Sequence, residues 1–287
     1  MPRISRKSRN FLFGQKLQCR CSSPLGHAGY SKKHGLLFSA ILSFTASSGT
    51  IWPYGIEFVT VPSGEFQMGQ SVGSGWDELP IHRVVISRAF QMGKYEITQK
   101  QFATVMLTNP SYHKGDDLPV ENVSWEDAQQ FVTQMTANLK DGYQYRLATE
   151  AEWEYACRAG TTGNIPYNLD EYAWYSGNSG GNTHTVGTKK PNPFGLYDIL
   201  GNVEEWVQDW YDENYYKYCV DHGIVTDPPG PTSGTHRVYR GGGYESDGNY
   251  IMPGFRSSSG TGFSGSSEQR GFRIVRIKKT IASSPEW

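Results

Sequence analysis

The stretch RGGGYESDGNYIMPGFRSSSGTGFSGSSEQRGFR occupies residues 240–273 and is the most informative part of the sequence. Gly and Ser supply 16 of the 31 residues from 241 to 271, and nine glycines disfavour a regular helix. A disordered linker would carry few aromatic residues. Aromatic residues nevertheless recur here, at Tyr244, Tyr250, Phe255, Phe263 and Phe272. This stretch, the C-terminal segment, is therefore predicted to form loops and short strands that are anchored at both ends and display polar side chains.

The composition indicates a large, loop-rich domain with an acidic body. The chain has 287 residues, 37% hydrophobic and 14% aromatic, with 33 Gly and 15 Pro, which is long enough for a sizeable core. Residues 1–34 carry eight basic residues, and residues 1–56 carry no Asp or Glu. The rest of the chain holds 19 basic against 28 acidic residues, a net charge of −9. This balance argues against nucleic acid as a partner.

Residues 1–48 combine a basic segment with an apolar run at 36–44 and small residues to position 48. This pattern is typical of a secretory signal, and the run is too short to span a bilayer as a helix. We expect the segment to be removed or disordered in an exported protein at the cell surface or in the periplasm, with membrane anchoring through the N-terminus left open. The alternative is a buried apolar segment.

From residue 56 onward the pattern favours an α+β domain. Alternating stretches predict a strand at 57–62, its return at 64–69, and two further strands at 80–86 and 90–93. Three helix starts follow at Thr98, Ser124 and Thr149, each with a carboxylate or amide three residues on. Beyond residue 160 regular periodicity fades.

Four cysteines are too few for a disulfide scaffold. A bridge between Cys157 and Cys219 is compatible with export, and two buried thiols are the alternative.

Several motifs appear in the order found in the formylglycine-generating-enzyme (sulfatase-modifying factor) family, which residues 56–277 therefore resemble, with 278–287 as a tail. They are VPSGEFQMG (61–69), KYEIT (94–98), PVENVSW (119–125), YRLATEAEWEY (145–155), GLYDILGNVEEW (195–206), and the RGG (240–242) and GFR (271–273) that bound the C-terminal segment. The resemblance implies a C-type-lectin-like fold with small antiparallel sheets, two or three helices and much irregular structure.

The same resemblance bears on catalysis. The family's enzymes use two cysteines shortly after the Arg-Gly-Gly motif to bind copper and oxidise a substrate thiol, and the matching positions hold Ser246 and Ile251. Neither side chain replaces a thiolate. The HxxxHxE run of the related iron-dependent sulfoxide synthases is also absent. We therefore expect that the protein is not an enzyme and that it binds neither copper nor iron. The alternative is a divergent formylglycine-generating-enzyme-like oxidoreductase with a cysteine-independent metal site.

Relatives bind a structural Ca²⁺ in the GLYDILGNVEEW motif, and the matching positions are Asp198, Gly201, Val203 and Glu205. Two carboxylates and backbone carbonyls in a tight turn suit this oxygen-binding cation. The alternative is that Asp198 and Glu205 cap turns or pair with Arg.

Without catalytic cysteines, the chain also resembles the variable proteins of diversity-generating retroelements, whose last ~30–40 residues form a lectin-like binding face. The mixture of Tyr and Phe with Ser, Gly and Asn is that of an antibody paratope. We expect a monomer that binds a protein or cell-surface ligand; a purely structural envelope protein is a further alternative. The side chains predicted to be displayed are Tyr244, Glu245, Ser246, Asn249, Tyr250, Phe255, Ser257, Ser259, Thr261 and Phe263, whereas Phe272 is assigned to the core.

Overall fold

The computed structural model describes residues 53–71, 75–163, 168–223, 225–262 and 265–279. Within these ranges the helices are α1 Gln99–Met106, α2 Trp125–Asn138, α3 Glu150–Arg158, α4 Leu169–Tyr172 and α5 Tyr215–Asp221. The strands are β1 Phe58–Val61, β2 Gly64–Met68, β3 His82–Ile86, β4 Phe90–Gly93, β5 Tyr143–Leu147, β6 Glu204–Trp210, β7 Val225–Thr226, β8 His236–Arg240, β9 Ser257–Gly260, β10 Arg270–Gly271 and β11 Ile274–Lys278. The signal-like run, Phe263 and positions 280–287 lie outside the described residues.

The strands form three small sheets, with orders β1-β4-β11-β5, β10-β6-β8-β9 and β2-β3-β7. The pairs β10/β6 and β3/β7 are parallel, and the other described pairs are antiparallel. The prediction that β2 returns along β1 is wrong, because β1 pairs with β4 and β2 pairs with β3. The connection Pro62-Ser63 lacks the Gly or Asn that a tight two-residue hairpin needs, so the chain passes from one sheet to another.

The three predicted helix starts are confirmed. At each one the N-cap hydroxyl accepts a backbone N–H three residues on, and that residue's side chain accepts the N–H of the cap. The pairs are Thr98 with Gln101, Ser124 with Asp127 and Thr149 with Glu152. Helices α4 and α5 are short and were not predicted. None of the helices in the described ranges is long and apolar enough to cross a bilayer.

Two apolar clusters form the core. One surrounds Trp153 and Met92 beneath the first sheet, and the other lies between α1, α2 and the end of the C-terminal segment. In the second cluster the ring of Phe272 lies 6.2 Å from that of Phe102 and 5.3 Å from that of Phe131. Phe272 is fully buried, as predicted. Cys157 and Cys219 are buried free thiols, so the structure favours that alternative over a bridge.

Candidate ligand-binding face

Both ends of the C-terminal segment are held by one residue of β6. Glu205 pairs in register with Arg240 of β8 on one side and with Gly271 of β10 on the other. The residues between them leave the sheet, form a 3-10 turn at Gly248–Tyr250, and return as β9 along β8. The sequence prediction of a loop surface anchored at both ends is therefore confirmed.

Buried arginines attach the start and the middle of the segment to α3. Arg240 Nη2 donates to Glu154 Oε2 at 2.5 Å, and its Nη1 lies 3.3 Å from Glu150 Oε1. Arg256 Nε and Nη2 donate to the two oxygens of Glu150 at 2.7 and 3.0 Å. Burial alone would raise the pKa of Glu150, but the guanidinium groups of Arg256 and Arg240 hold it below its usual value.

The two arginines at the end of the segment are also paired. Arg270 donates to Glu204 Oε2 at 2.7 Å, and Arg273 Nε donates to both oxygens of Glu205 at 2.7 Å. All four arginines of the segment are at most 7% exposed. Removing one member of such a buried pair is strongly destabilising, so these contacts fix the backbone of the loops on the side that faces the core. The opposite, upper side of the loops faces solvent and carries the other side chains.

That upper side, which we call the binding face after the role proposed below, is centred on Tyr250 and Phe255. Tyr250 is 41% exposed and its ring lies 5.1 Å from that of the half-buried Phe255. Glu245 and Asn249 are exposed. Partly exposed positions among those predicted are Ser246, Ser257, Ser259 and Thr261. Phe263 lies outside the described residues.

Tyr244 differs from the prediction. It is 2% exposed, and its ring meets that of His113 edge-on at 5.2 Å. The backbone bond from Tyr244 N to Asn202 O, at 2.8 Å, ties this residue to the loop before β6. Burial and the neighbouring carboxylate of Glu245 raise the pKa of Tyr244 to about 12. Tyr244 therefore supports the binding face from within rather than being displayed on it.

Ser246 and Ile251, the positions to which the resemblance assigns two catalytic cysteines, meet at Gly242. A Cβ placed on Gly242 would lie 2.5 Å from Ile251 Cδ1 and 3.4 Å from both Cβ and Oγ of Ser246. Ile251 is fully buried, and the Ser246 hydroxyl accepts the Gly243 N–H at 2.9 Å. The chain has no cysteine after Cys219. A hydroxyl and an aliphatic group thus occupy the place where the resemblance implies two thiols.

The predicted calcium positions fit a cation only in part. Asp198 is 2% exposed, and its Oδ1 has no hydrogen-bond partner among the described residues, as a metal-binding oxygen would. Burial raises the pKa of Asp198 to about 6. Glu205, in contrast, is committed to Arg273 and to Trp153 Nε1, which donates at 2.7 Å. The alternative of pairing with Arg thus holds for Glu205.

The other two calcium positions lie in the same turn. Gly201 has a φ of +83°, and Val203 N donates to Glu96 Oε1 at 3.0 Å. In the part of the chain that the structure describes, no three His, Cys, Asp or Glu side chains are grouped to hold a metal ion. A site built from Asp198 and backbone carbonyls stays a prediction.

Three aromatic residues next to the segment were missed from the sequence. Trp76 and Tyr112 are each 65% exposed, and Tyr175 is partly exposed. They belong to loops tied to the segment: Arg256 Nη1 donates to Asp77 O at 2.8 Å, His113 packs on Tyr244, and Ser176 N donates to Ser246 O at 3.1 Å. Only tertiary contacts bring these loops to the face, so no local sequence signal identifies them.

A separate cleft of about 510 Å³ opens between β2 and the end of α3. Phe66, Tyr155 and Arg158 line it, and its described lining contains no residue of the C-terminal segment. The Arg158 guanidinium is already bonded to Glu154 Oε1, Gly69 O and Gly163 O. Arg158 is therefore not available to bind a charged ligand in this cleft.

Comparison with known proteins places this geometry in context. Residues 53–278 match the family described as "Sulfatase-modifying factor enzyme 1-like domain". The chain is 31% identical over 301 residues to "Chaperone protein LppX" of Paenibacillus barcinonensis, covering 85% of this chain and 98% of that protein. It is 27% identical over 263 residues to the formylglycine-generating enzyme of Streptomyces coelicolor, covering 65% and 78%.

Among solved structures, Treponema denticola variable protein 1 superposes with a TM-score of 0.70 at 29% identity, covering 79% of this chain and 98% of that one. The predicted α+β, C-type-lectin-like fold of the formylglycine-generating-enzyme type is confirmed by these likenesses.

Proposed function

The chain belongs to the sulfatase-modifying factor enzyme 1-like family, and from this premise we propose that it is an exported, non-catalytic binding protein. Its binding face recognises a protein or another cell-surface ligand. The observation that carries the proposal is that Ser246 and Ile251, the positions to which the resemblance assigns two catalytic thiols, meet at Gly242 and carry a hydroxyl and an aliphatic group. Without a thiolate neither copper binding nor thiol oxidation has its ligand and nucleophile.

The design of the face supports this proposal. Buried ion pairs fix the loops, while Tyr250, Phe255, Asn249 and several Ser side chains reach the surface. Rigid aromatic side chains give contact area at low entropic cost, and short polar ones adapt their hydrogen bonds. The likeness to a variable protein of Treponema denticola supports the same use of the fold. Export rests on the sequence of residues 1–48.

The binding proposal is tested by selecting peptides from a random display library on the purified full chain. Binding of the enriched peptides is then measured on variants by fluorescence anisotropy. Tyr250→Ala and Phe255→Ala are each expected to weaken binding at least about tenfold, as aromatic hot spots do. Leu107→Ala, at an 86% exposed position on α1's C-cap, is the control and should bind as wild type does. Equal binding by all three variants would contradict the assignment of the face.

The oxidoreductase alternative is tested separately. The full chain is incubated with copper(I) or iron(II), dialysed, and assayed for oxidation of a cysteine-containing peptide. We expect no turnover with either metal. Stoichiometric metal retention together with thiol oxidation would overturn the non-catalytic assignment.

Diversification by a retroelement is a further part of the proposal. It predicts a near-copy of the codons for residues 240–273 close to the gene, differing chiefly at adenines and lying beside a reverse transcriptase. Sequencing the neighbouring DNA decides this point, and a locus without such a copy would leave a binding face that does not vary by this route.

Likeness to a chaperone favours a second candidate. Similarity to LppX extends over 98% of that protein, and Trp76, Leu79 and Ile81 expose 65%, 43% and 41% of their surface on one loop. Exposed apolar patches mark protein-interaction sites, and an unfolded chain is the partner that the name of this relative suggests. Suppression of the aggregation of a reduced, unfolding test protein, followed by light scattering, would favour a chaperone; unchanged aggregation would exclude it.

A further inference from the structure

The exposed charges of the C-terminal segment are all negative. Its four arginines are at most 7% exposed and are bonded to carboxylates. Its three carboxylates, Glu245, Asp247 and Glu268, are all exposed. The segment contains no Lys or His. The fold therefore turns every cation of the segment inward and every anion outward.

A fourth carboxylate lies beneath this acidic surface. Glu121 is fully buried, and its Oε2 has no hydrogen-bond partner among the described residues. Its Oε1 accepts the His113 N–H at 2.8 Å, and His113 Nδ1 lies 3.8 Å away. The bond from Asn122 N to Ser267 O, at 2.9 Å, holds Glu121 next to the loop that carries Glu268. Because Glu121 Oε2 has no donor, the charged form of this buried carboxyl is costly.

Aromatic rings accompany these carboxylates. Within the segment, the rings of Tyr250 and Phe255 form a tilted pair. Outside it, Tyr112 is 65% exposed and its ring lies edge-on to that of His113. Ring faces attract Lys and, more often, Arg side chains. The neighbouring Lys114 does not pair directly with these carboxylates, because its Nζ donates to Asn109 O at 3.2 Å.

We propose that the partner of the binding face is a cationic protein segment, whose arginine or lysine side chains meet Glu245, Asp247 and Glu268 and pack on Tyr250 and Phe255. This inference rests on the proposed binding function and specifies the chemistry of its ligand. Complementary charge favours a basic partner over others and raises its rate of association with the face, and both effects weaken as the salt concentration rises. An acidic partner is repelled by the same face.

The test uses labelled nona-arginine, nona-lysine and nona-glutamate peptides, titrated with the full chain and followed by anisotropy. Wild type is expected to bind the two basic peptides, less tightly as salt rises, and not the acidic one. The triple variant E245Q/D247N/E268Q should lose at least about tenfold in affinity for nona-arginine, or about 1.4 kcal/mol. These amide replacements keep the acceptors for Gln269 Nε2 and for Asn249 N, so the loops stay folded.

The control triple D212N/E213Q/D221N removes the same charge from exposed carboxylates around α5, and it should bind within about twofold of wild type. Equal losses in the two triples would show nonspecific attraction and overturn the proposal, as would failure of wild type to bind nona-arginine. Selected library peptides that need Tyr250 but carry no basic residues would overturn the cationic ligand while leaving the binding function standing.

Discussion

Glu150 is one of two residues of α3, with Glu154, that hold the C-terminal segment, and it contacts two of the segment's arginines. It accepts from Arg256 at 2.7 Å and lies 3.3 Å from Arg240. Glu150→Gln keeps the shape but leaves two buried guanidinium groups short of negative charge, so we expect a loss of about 3–5 kcal/mol in the free energy of unfolding, measured in urea. The exposed control Glu213→Gln should change it by less than about 0.5 kcal/mol. Equal effects of the two changes would mean that the ion pairs do not anchor the segment.

Glu121 gives the protein a pH dependence of defined sign. Burial raises the pKa of its carboxyl from 4.5 to about 7, so the folded protein holds a proton that the unfolded chain has released. The stabilisation is complete below about pH 4.5 and is lost as pH rises through about 7, by an amount on the order of 3 kcal/mol.

Buried carboxyls with raised pKa, such as Asp209 at about 8, act in the same direction, so the effect of Glu121 is isolated by difference. Glu121→Gln carries no titrating proton and keeps an acceptor for His113 N. Urea unfolding of both proteins between about pH 5 and pH 8 should show a shallower fall in stability for the variant. Parallel curves for variant and wild type would assign the pH dependence to other groups.

At the scale of elements, steric contact explains why the Gly-Phe-Arg motif has glycine at position 271. A Cβ on Gly271 of β10 would lie 2.3 Å from the carbonyl oxygen of Val120, a backbone atom that cannot turn away. Gly271→Ala should therefore separate β10 from the loop before α2 and cost about 1–3 kcal/mol in thermal or urea unfolding. In the control Gly243→Ala, the added Cβ meets first the movable side chain of Gln269, at 3.2 Å, so a smaller loss is expected. A larger loss in the control would contradict this account.

The elements that sequence predicts well are those fixed by neighbours in the chain. The caps at Thr98, Ser124 and Thr149 each need only a partner three residues away, and all three helices begin there. Strand pairing is different, because β11 lies between β4 and β5, more than a hundred residues earlier. Local alternation carries no information on such partners, which is why β1 and β2 were wrongly joined.

The candidate site divides along the same line. Sequence places the segment's boundaries, Phe272 in the core and Tyr250 at the surface. It cannot place Arg240 under the loops, since the partners Glu150 and Glu154 lie about 90 residues away. Tyr244 was assigned to the surface together with the other side chains of the paratope-like segment, whereas His113 from another loop covers it.

For the molecule as a whole, anchoring and display are carried by different atoms. The ends of the segment meet on either side of Glu205, and its arginines reach into the core. Side chains such as Tyr250 and Asn249 point away from these contacts and do not enter the two apolar clusters. Substitutions on the binding face are therefore tolerated by the fold to a degree that substitutions of the arginines are not.

We also predict that the domain folds without residues 1–52. Among the described residues, the buried members of both apolar clusters begin at Ile56, with Tyr54 packed against the second cluster, and the family match begins at residue 53. A variant lacking residues 1–52 should keep a cooperative thermal transition within about 3 °C of the full chain, a difference below about 1 kcal/mol for a domain of this size.

Removal of nine further residues, to position 61, provides the matched control. It deletes β1, an edge strand of the first sheet, together with the buried side chains of Phe58 and Val61. Exposing that side of β4 should lower the transition by more than about 10 °C or abolish it, because the buried apolar side chains of Ile56, Phe58 and Val61 are lost from the core. If the shorter deletion alone destroyed the transition, residues 1–52 would have to supply packing that the described domain does not contain, and the division between them would be wrong.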